Sequence, residues 1–304
     1  MFTNGDIICF LGDSLTASGF LVAEVYQEVG KRKSIKCYNC GVAGGRASYA
    51  KEYLHSYCLS KNPTKVVIMF GMNDIGFPLY SKACTDVDKE EKKARLIEIH
   101  KQSYEKIVTD CLDFGAVPIL CTPLPYDEFD PNKEGENLYC QSALFECCRF
   151  VRSISEKYSL TLVDVCDKML PLIKERPELM TQDRMHPTTV GYHVMSQIIL
   201  SELYETDAPN IESPFVFEPW NKERYAVERK LKLIEFIDLV ALYEEAKENG
   251  WGISEKKKEA LIRYENEPNK AGYFPMCYKF YSEHAEQRDD LFGEVVKLTK
   301  FTLI

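Results

Sequence analysis

Ile7-Ile8-Cys9-Phe10-Leu11-Gly12-Asp13-Ser14-Leu15-Thr16 is an apolar run that stops abruptly at a Gly-Asp-Ser-Leu tetrapeptide. A continuous apolar stretch of this length reads as a strand buried on both faces. A serine just beyond it, at the mouth of the next helix, is where an α/β protein can hold a nucleophile. Outward from this stretch, four further short runs read as strands: Ser34–Tyr38, Val66–Phe70, Val117–Cys121 and Thr161–Val163. They alternate with helical patterns, which argues for a parallel five-stranded sheet covered on both faces. Leu21, Val22, Val25 and Val29 form an apolar stripe at helical spacing. Glu90 to Phe114 reads as a long helix ended by Gly115, and Val190, Val194, Met195, Ile198 and Ile199 mark another over about 188–204.

The 304 residues carry 38 Lys and Arg against 47 Asp and Glu, for a net charge of −9. An acidic chain lacks the basic face that nucleic acid demands, which excludes that class of partner. The basic runs Lys31-Arg32-Lys33 and Lys256-Lys257-Lys258 read as solvated helix ends or faces. The amino terminus has no basic stretch leading into an apolar one, and no run approaches the length of a membrane span. The expectation is a soluble, cytoplasmic protein with no membrane partner. Of the twelve cysteines, Cys9, Cys111 and Cys121 lie in apolar runs and read as small core hydrophobes kept reduced. Cys37-x-x-Cys40 has no second matching pair and reads as incidental thiols beside a strand.

Three more blocks follow the first in order: Asn39-Cys40-Gly41-Val42-Ala43-Gly44, Gly71-Met72-Asn73-Asp74 and Asp183-Arg184-Met185-His186-Pro187. A serine hydroxyl is a weak nucleophile until a base takes its proton, and an imidazole such as that of His186 accepts and returns a proton near neutral pH. Asp183, three residues earlier, can aim its carboxylate at that ring and fix its tautomer. Taken singly, each block has a plainer reading: Ser14 as a helix cap, Asp13 as a turn residue, Asn73-Asp74 as a cap, Asp183 and His186 as a surface ion pair. His55, His100, His193 and His284 read as surface or helix-packing residues.

Together the four blocks resemble the signature of the SGNH hydrolases, also called GDSL esterases and lipases, over roughly the first two hundred residues. The resemblance implies a flavodoxin-like three-layer α/β/α fold, with the site at the carboxyl ends of the strands. It also implies an oxyanion hole of the Ser14 and Gly44 backbone N–H groups and the Asn73 side chain, with Ser14, Asp183 and His186 as catalytic triad. Asp13 and Asp74 would support them. The spacing from Asn39 favours Gly44 over Gly45. The implied reaction is hydrolysis of carboxylic esters of small or carbohydrate-like substrates, with no cofactor and no metal. A lipase- or thioesterase-type acylhydrolase is the alternative, or a non-catalytic binding or assembly protein on the same fold. Segments 75–88 and 122–137 should rim the pocket, with Pro123, Pro125, Tyr126 and Phe129 as stiff walls.

The division expected is a hydrolase domain over 1–204 and a proline-containing linker with a helical extension over 205–304. Pro209, Pro214 and Pro219 punctuate the linker. Val227, Leu231, Ile234, Ile237 and Ala241 form an apolar stripe that could pack on the hydrolase core or on a second subunit.

Overall fold

Strand β1 (Ile7–Gly12) is buried on both faces, and its alternation divides the interior in two. Ile8 and Phe10 enter one apolar core, Cys9 and Leu11 another. The computed structural model describes residues 2–22, 25 and 35–204. Within them β2 (Lys36–Gly41), β1, β3 (Lys65–Met69), β4 (Val117–Cys121) and β5 (Thr161–Val163) form one sheet in the order β2-β1-β3-β4-β5, every pairing parallel.

Helices cover both faces. On one, α5 (Val165–Glu175) and α6 (Thr189–Tyr204) contribute Met169, Ile173, Met195 and Ile199 to a core that also holds Leu21, Val22 and Val25. Val29, the last residue of that expected stripe, lies outside the described residues. On the other face α2 (Ala47–Tyr53), α3 (Lys89–Phe114) and α4 (Gln141–Tyr158) bring in Ala50, Tyr104, Ile107 and Val151. Each fully buried aliphatic or aromatic side chain of this kind contributes about 1.5–3 kcal/mol. The result is the expected three-layer α/β/α architecture. A third, smaller cluster of Ile75, Ile97, Tyr126 and Leu144 lies under the loops after β3 and β4.

The one sizeable departure concerns β2, which starts at Lys36 and runs to Gly41, not from Ser34 to Tyr38. Its register against β1 continues to Gly12↔Gly41, so Asn39 and Gly41, residues with the look of a turn, are strand here. Contact with the next element explains the glycine. Helix α1 (Ser14–Ala17) crosses so closely that a Cβ on Gly41 would lie 2.3 Å from the Ala17 nitrogen. The Asn39 side chain holds the end of the same strand, donating to the Ala17 carbonyl at 3.3 Å and accepting from the Gly41 N–H at 2.9 Å.

The expected linker and helical extension over 205–304, both basic runs and His284 lie outside the described residues. No helix among the described residues is long and apolar enough to cross a membrane.

Candidate active site

The strand order reverses at β1, and the candidate groups gather at the carboxyl ends of the three strands around that point. Ser14 follows β1, Gly44 follows β2 and Asn73 follows β3. This crevice at a topological switch point is where open α/β sheets bind ligands. All three residues line one cavity of about 400 Å³.

Ser14 opens α1, whose first turn is capped by Asp13: the Leu15 N–H donates to Asp13 Oδ1 at 3.0 Å. The Ser14 hydroxyl donates to His186 Nε2 at 2.8 Å, and the other ring nitrogen, Nδ1, lies 2.6 Å from Asp183 Oδ2. A proton on Nδ1 therefore leaves Nε2 as the acceptor facing the serine, the tautomer that a general base needs. Asp183 Oδ1 also accepts the backbone N–H groups of Met185 and His186, each at 2.9 Å, and the Thr181 hydroxyl at 2.7 Å. Partial burial alone would raise its pKa, but these donors outweigh it and hold the carboxylate well below its usual range.

Gly44 has φ +70, a left-handed conformation, while the Gly45 N–H is already given to the Val42 carbonyl at 2.7 Å. Gly44, not Gly45, reaches the cavity. Only a residue without Cβ turns this way at little cost. The Asn73 amide donates to Asp13 Oδ2 at 3.4 Å, and this contact aims its side chain across the mouth of β1. Asp13 is 3% exposed, and burial pushes its pKa up to about 7, with the charge of nearby Asp74 adding to the shift against the Leu15 N–H. An arrangement of hydroxyl, imidazole and carboxylate beside fixed N–H donors can perform acyl transfer.

Asp74 is set back from the cavity. Its Oδ1 accepts the Ala47 N–H at 2.8 Å and lies 3.1 Å from Nδ1 of the wholly buried His100. It thereby ties the start of α2, just after Gly44, to the residue beside Asn73. His100 is thus the helix-packing residue expected, with an ion-pair partner that the sequence did not reveal. Burial favours its neutral form, but Cys147 and Asp74 together outweigh that and lift its pKa to about 10. His55 stands edge-on to Phe114, and neither it nor His193 lines the cavity.

Of the expected rim, Phe77, Pro123, Pro125 and Tyr126 line the cavity. Phe129 does not: it is 40% exposed and lies under Lys174 Nζ at 4.7 Å, because the chain turns outward after Asp127. The remaining lining is dominated by Leu15, Met69, Met72 and Met185. Cys37 and Cys40 face opposite cores, so the pair cannot chelate. Cys40 instead meets Cys9 and Cys58, the three sulfurs lying within 4.8 Å of one another, the one such group among the described residues. Cys9 and Cys40 donate to the Cys58 and Tyr57 carbonyls at 3.6 and 3.5 Å. Mutual hydrogen bonding and burial push the Cys9 and Cys58 thiols up, which favours protonated core residues over metal-ligating thiolates. Cys111 and Cys121 are fully buried free thiols, as their apolar runs suggest.

Comparison with known proteins gives the family and the fold. The model of the GDSL-like lipase/acylhydrolase family matches residues 10–194. Acetylxylan esterase of Geobacillus stearothermophilus is 23% identical over 229 residues, covering 66% of this chain and 94% of that protein. A solved acetylxylan esterase from the same organism has a TM-score of 0.56 at 20% identity, over 68% of this chain and 98% of its own. Structures described as catalytic mutants of that esterase replace a serine, an aspartate and a histidine, the last two three positions apart. A solved gut microbial diltiazem-metabolizing enzyme reaches a TM-score of 0.70 at 15% identity, over 99% of this chain and 96% of that one.

Proposed function

The chain belongs to the GDSL-like lipase/acylhydrolase family of ester-hydrolysing enzymes, and within it we propose a serine esterase that removes small acyl groups through an acyl-enzyme on Ser14. The observation that carries this reading is the continuous chain from Ser14 Oγ through His186 to Asp183, at 2.8 and 2.6 Å, opening onto a cavity that Gly44 and Asn73 also line. Ser14 Oγ attacks the ester carbonyl while His186 Nε2 takes its proton. Negative charge developing on the carbonyl oxygen meets the Ser14 and Gly44 backbone N–H groups and the Asn73 amide. His186 then protonates the leaving alcohol, and water attacks the acyl-enzyme with His186 again as base.

The size and character of the cavity narrow the substrate. About 400 Å³ is at the small end of ligand pockets, and every polar side chain lining it among the described residues already serves this chemistry or the wall. Tyr126, the remaining polar group, gives its hydroxyl to the Glu136 carbonyl at 2.8 Å. A short acyl group seated against Met72, Met185 and Phe77 fits such a lining. The alcohol half, carbohydrate-like or another small alcohol, would extend outward, and the acetylxylan esterase relatives support an acetyl ester. The apolar wall also favours one second reading, a lipase- or thioesterase-type site for a longer acyl chain.

The test is hydrolysis of p-nitrophenyl esters from acetate to long-chain acyl, for the wild type beside Ser14→Ala. Activity greatest at acetate and lost in the variant is the expected result. A maximum at long chains would replace it with the second reading, and turnover unaffected by Ser14→Ala would overturn both.

A further inference from the structure

Arg184 lies between Asp183 and His186 and points away from both. It is 3% exposed although its two neighbours in the site are partly open to solvent, and its φ of +66 is a left-handed backbone that a residue with a Cβ disfavours. Its guanidinium is held by four carbonyls of one loop: Nε donates to Gly135 O at 2.7 Å, Nη1 to Asp127 O at 3.2 Å and Asp130 O at 2.8 Å, and Nη2 to Lys133 O at 3.0 Å. Four of the five guanidinium N–H groups are thus satisfied by backbone, a number that no ammonium can match.

The same loop returns the grip. Lys133 Nζ donates to the Pro177 and Met180 carbonyls at 2.7 and 2.8 Å and pairs with the buried Asp127 carboxylate at 2.6 Å. Backbone bonds from the Asp127 N–H to Arg184 O at 3.0 Å and from the Gly135 N–H to Gln182 O at 3.2 Å complete the seam. A Cβ on Gly135 would come within 2.3 Å of Gln182 O, so the two segments touch backbone to backbone. Pro123 to Tyr126, a wall of the cavity, run directly into this loop, and Met185 and His186 leave directly from the other segment.

We propose that Arg184 is a positioning residue for the reaction, its guanidinium locking the Asp183–His186 turn onto the 127–135 loop so that base and cavity wall are held as one body. The inference rests on the reading of His186 as the base. Arg184 touches no reacting atom; it fixes the left-handed turn that sets the direction of the imidazole relative to Ser14. A small misplacement of such a group lowers turnover more than binding.

Arg184→Gly and Arg184→Lys separate backbone from side chain. Glycine adopts φ +66 freely but removes the guanidinium, and lysine keeps the charge but lacks the planar fork. Both are expected to lower kcat tenfold or more with KM changed less than about threefold, and millimolar guanidinium, but not methylammonium, should restore much of the loss in Arg184→Gly. His186→Ala runs alongside: if it retains wild-type turnover, the reading of the base fails, whatever Arg184 does. With His186→Ala inactive, kcat within twofold of wild type in Arg184→Lys overturns the proposal for Arg184 alone, and this arm decides if Arg184→Gly does not fold. A loss in Arg184→Gly that guanidinium leaves unchanged also overturns it.

Discussion

Replacing Asp13 by Asn should make the protein more stable and a poorer enzyme at the same time. Asp13 is 3% exposed, and burial lifts its pKa from 3.8 to about 7. A carboxyl group raised in this way contributes its full stability below pH 3.8 and loses it as the pH rises through about 7. At about 1.4 kcal/mol per pH unit, the loss is about 2 kcal/mol at pH 5 and about 4 kcal/mol at pH 8. Asn cannot ionise, and its side-chain oxygen can still accept the Leu15 N–H that caps α1. Relative to the wild type, the variant should therefore gain about 2–3 kcal/mol on going from pH 5 to pH 8. Its amide, however, sets a donor where Oδ2 accepts from Asn73. The Asn73 side chain must turn, and kcat should fall by about ten- to a hundredfold, less than for deletion of the donor itself. Urea unfolding at pH 5 and pH 8 supplies the first quantity and ester hydrolysis at pH 8 the second. A variant whose stability relative to wild type is no better at pH 8 than at pH 5 would refute the burial argument, and unchanged kcat would refute the role given to the Asn73 contact.

Other substitutions test separate parts of the site. Asn73→Ala should cost about 3–4 kcal/mol of transition-state stabilisation, read as a loss of roughly 10²–10³ in kcat with KM little changed. Asp183→Asn sets an amide NH2 in place of the oxygen that accepts from His186 Nδ1, while its remaining oxygen can still accept the Met185 and His186 backbone N–H groups. It should lower kcat by up to about 10⁴-fold, moderated because the carboxylate is 44% exposed. His100→Gln removes one member of a buried pair and should destabilise the protein by about 3 kcal/mol at pH 6. Because the pKa of His100 is raised to about 10, that contribution is complete below pH 6.5 and is lost as the pH rises through about 10. Urea unfolding of wild type and variant across this range should converge at the alkaline end.

The groups that could be read from sequence are those whose chemistry is local. Gly12-Asp13-Ser14-Leu15 ends an apolar run, Asp183 and His186 are three residues apart, and both patterns carry their geometry with them. β1, β4 and β5 were legible for the same reason, since an apolar run bounded by turn residues has few other solutions. β2 was misjudged because Asn39 and Gly41 serve a contact with α1, which no window of sequence contains. The buried polar groups were hidden for a similar reason. His100 and Asp74 are joined only by the packing of α3 against the loop after β3, and Arg184 meets its four carbonyls some fifty residues earlier in the chain. Nothing in their local sequence distinguishes them from solvated charges. Phe129 shows the converse error, an aromatic assigned to the cavity by proximity in sequence to Pro125 and Tyr126, where the chain has already turned away.

The central claim is that Ser14 is a nucleophile activated through His186. The most direct test is intact-protein and peptide mass spectrometry after exposure to a fluorophosphonate ester, for wild type, Ser14→Ala and His186→Ala. One phosphonyl group per chain on Ser14 in the wild type, none in Ser14→Ala and strongly slowed labelling in His186→Ala is the expected outcome. An unlabelled wild type, or labelling that persists at another residue when Ser14 is replaced, would contradict the account.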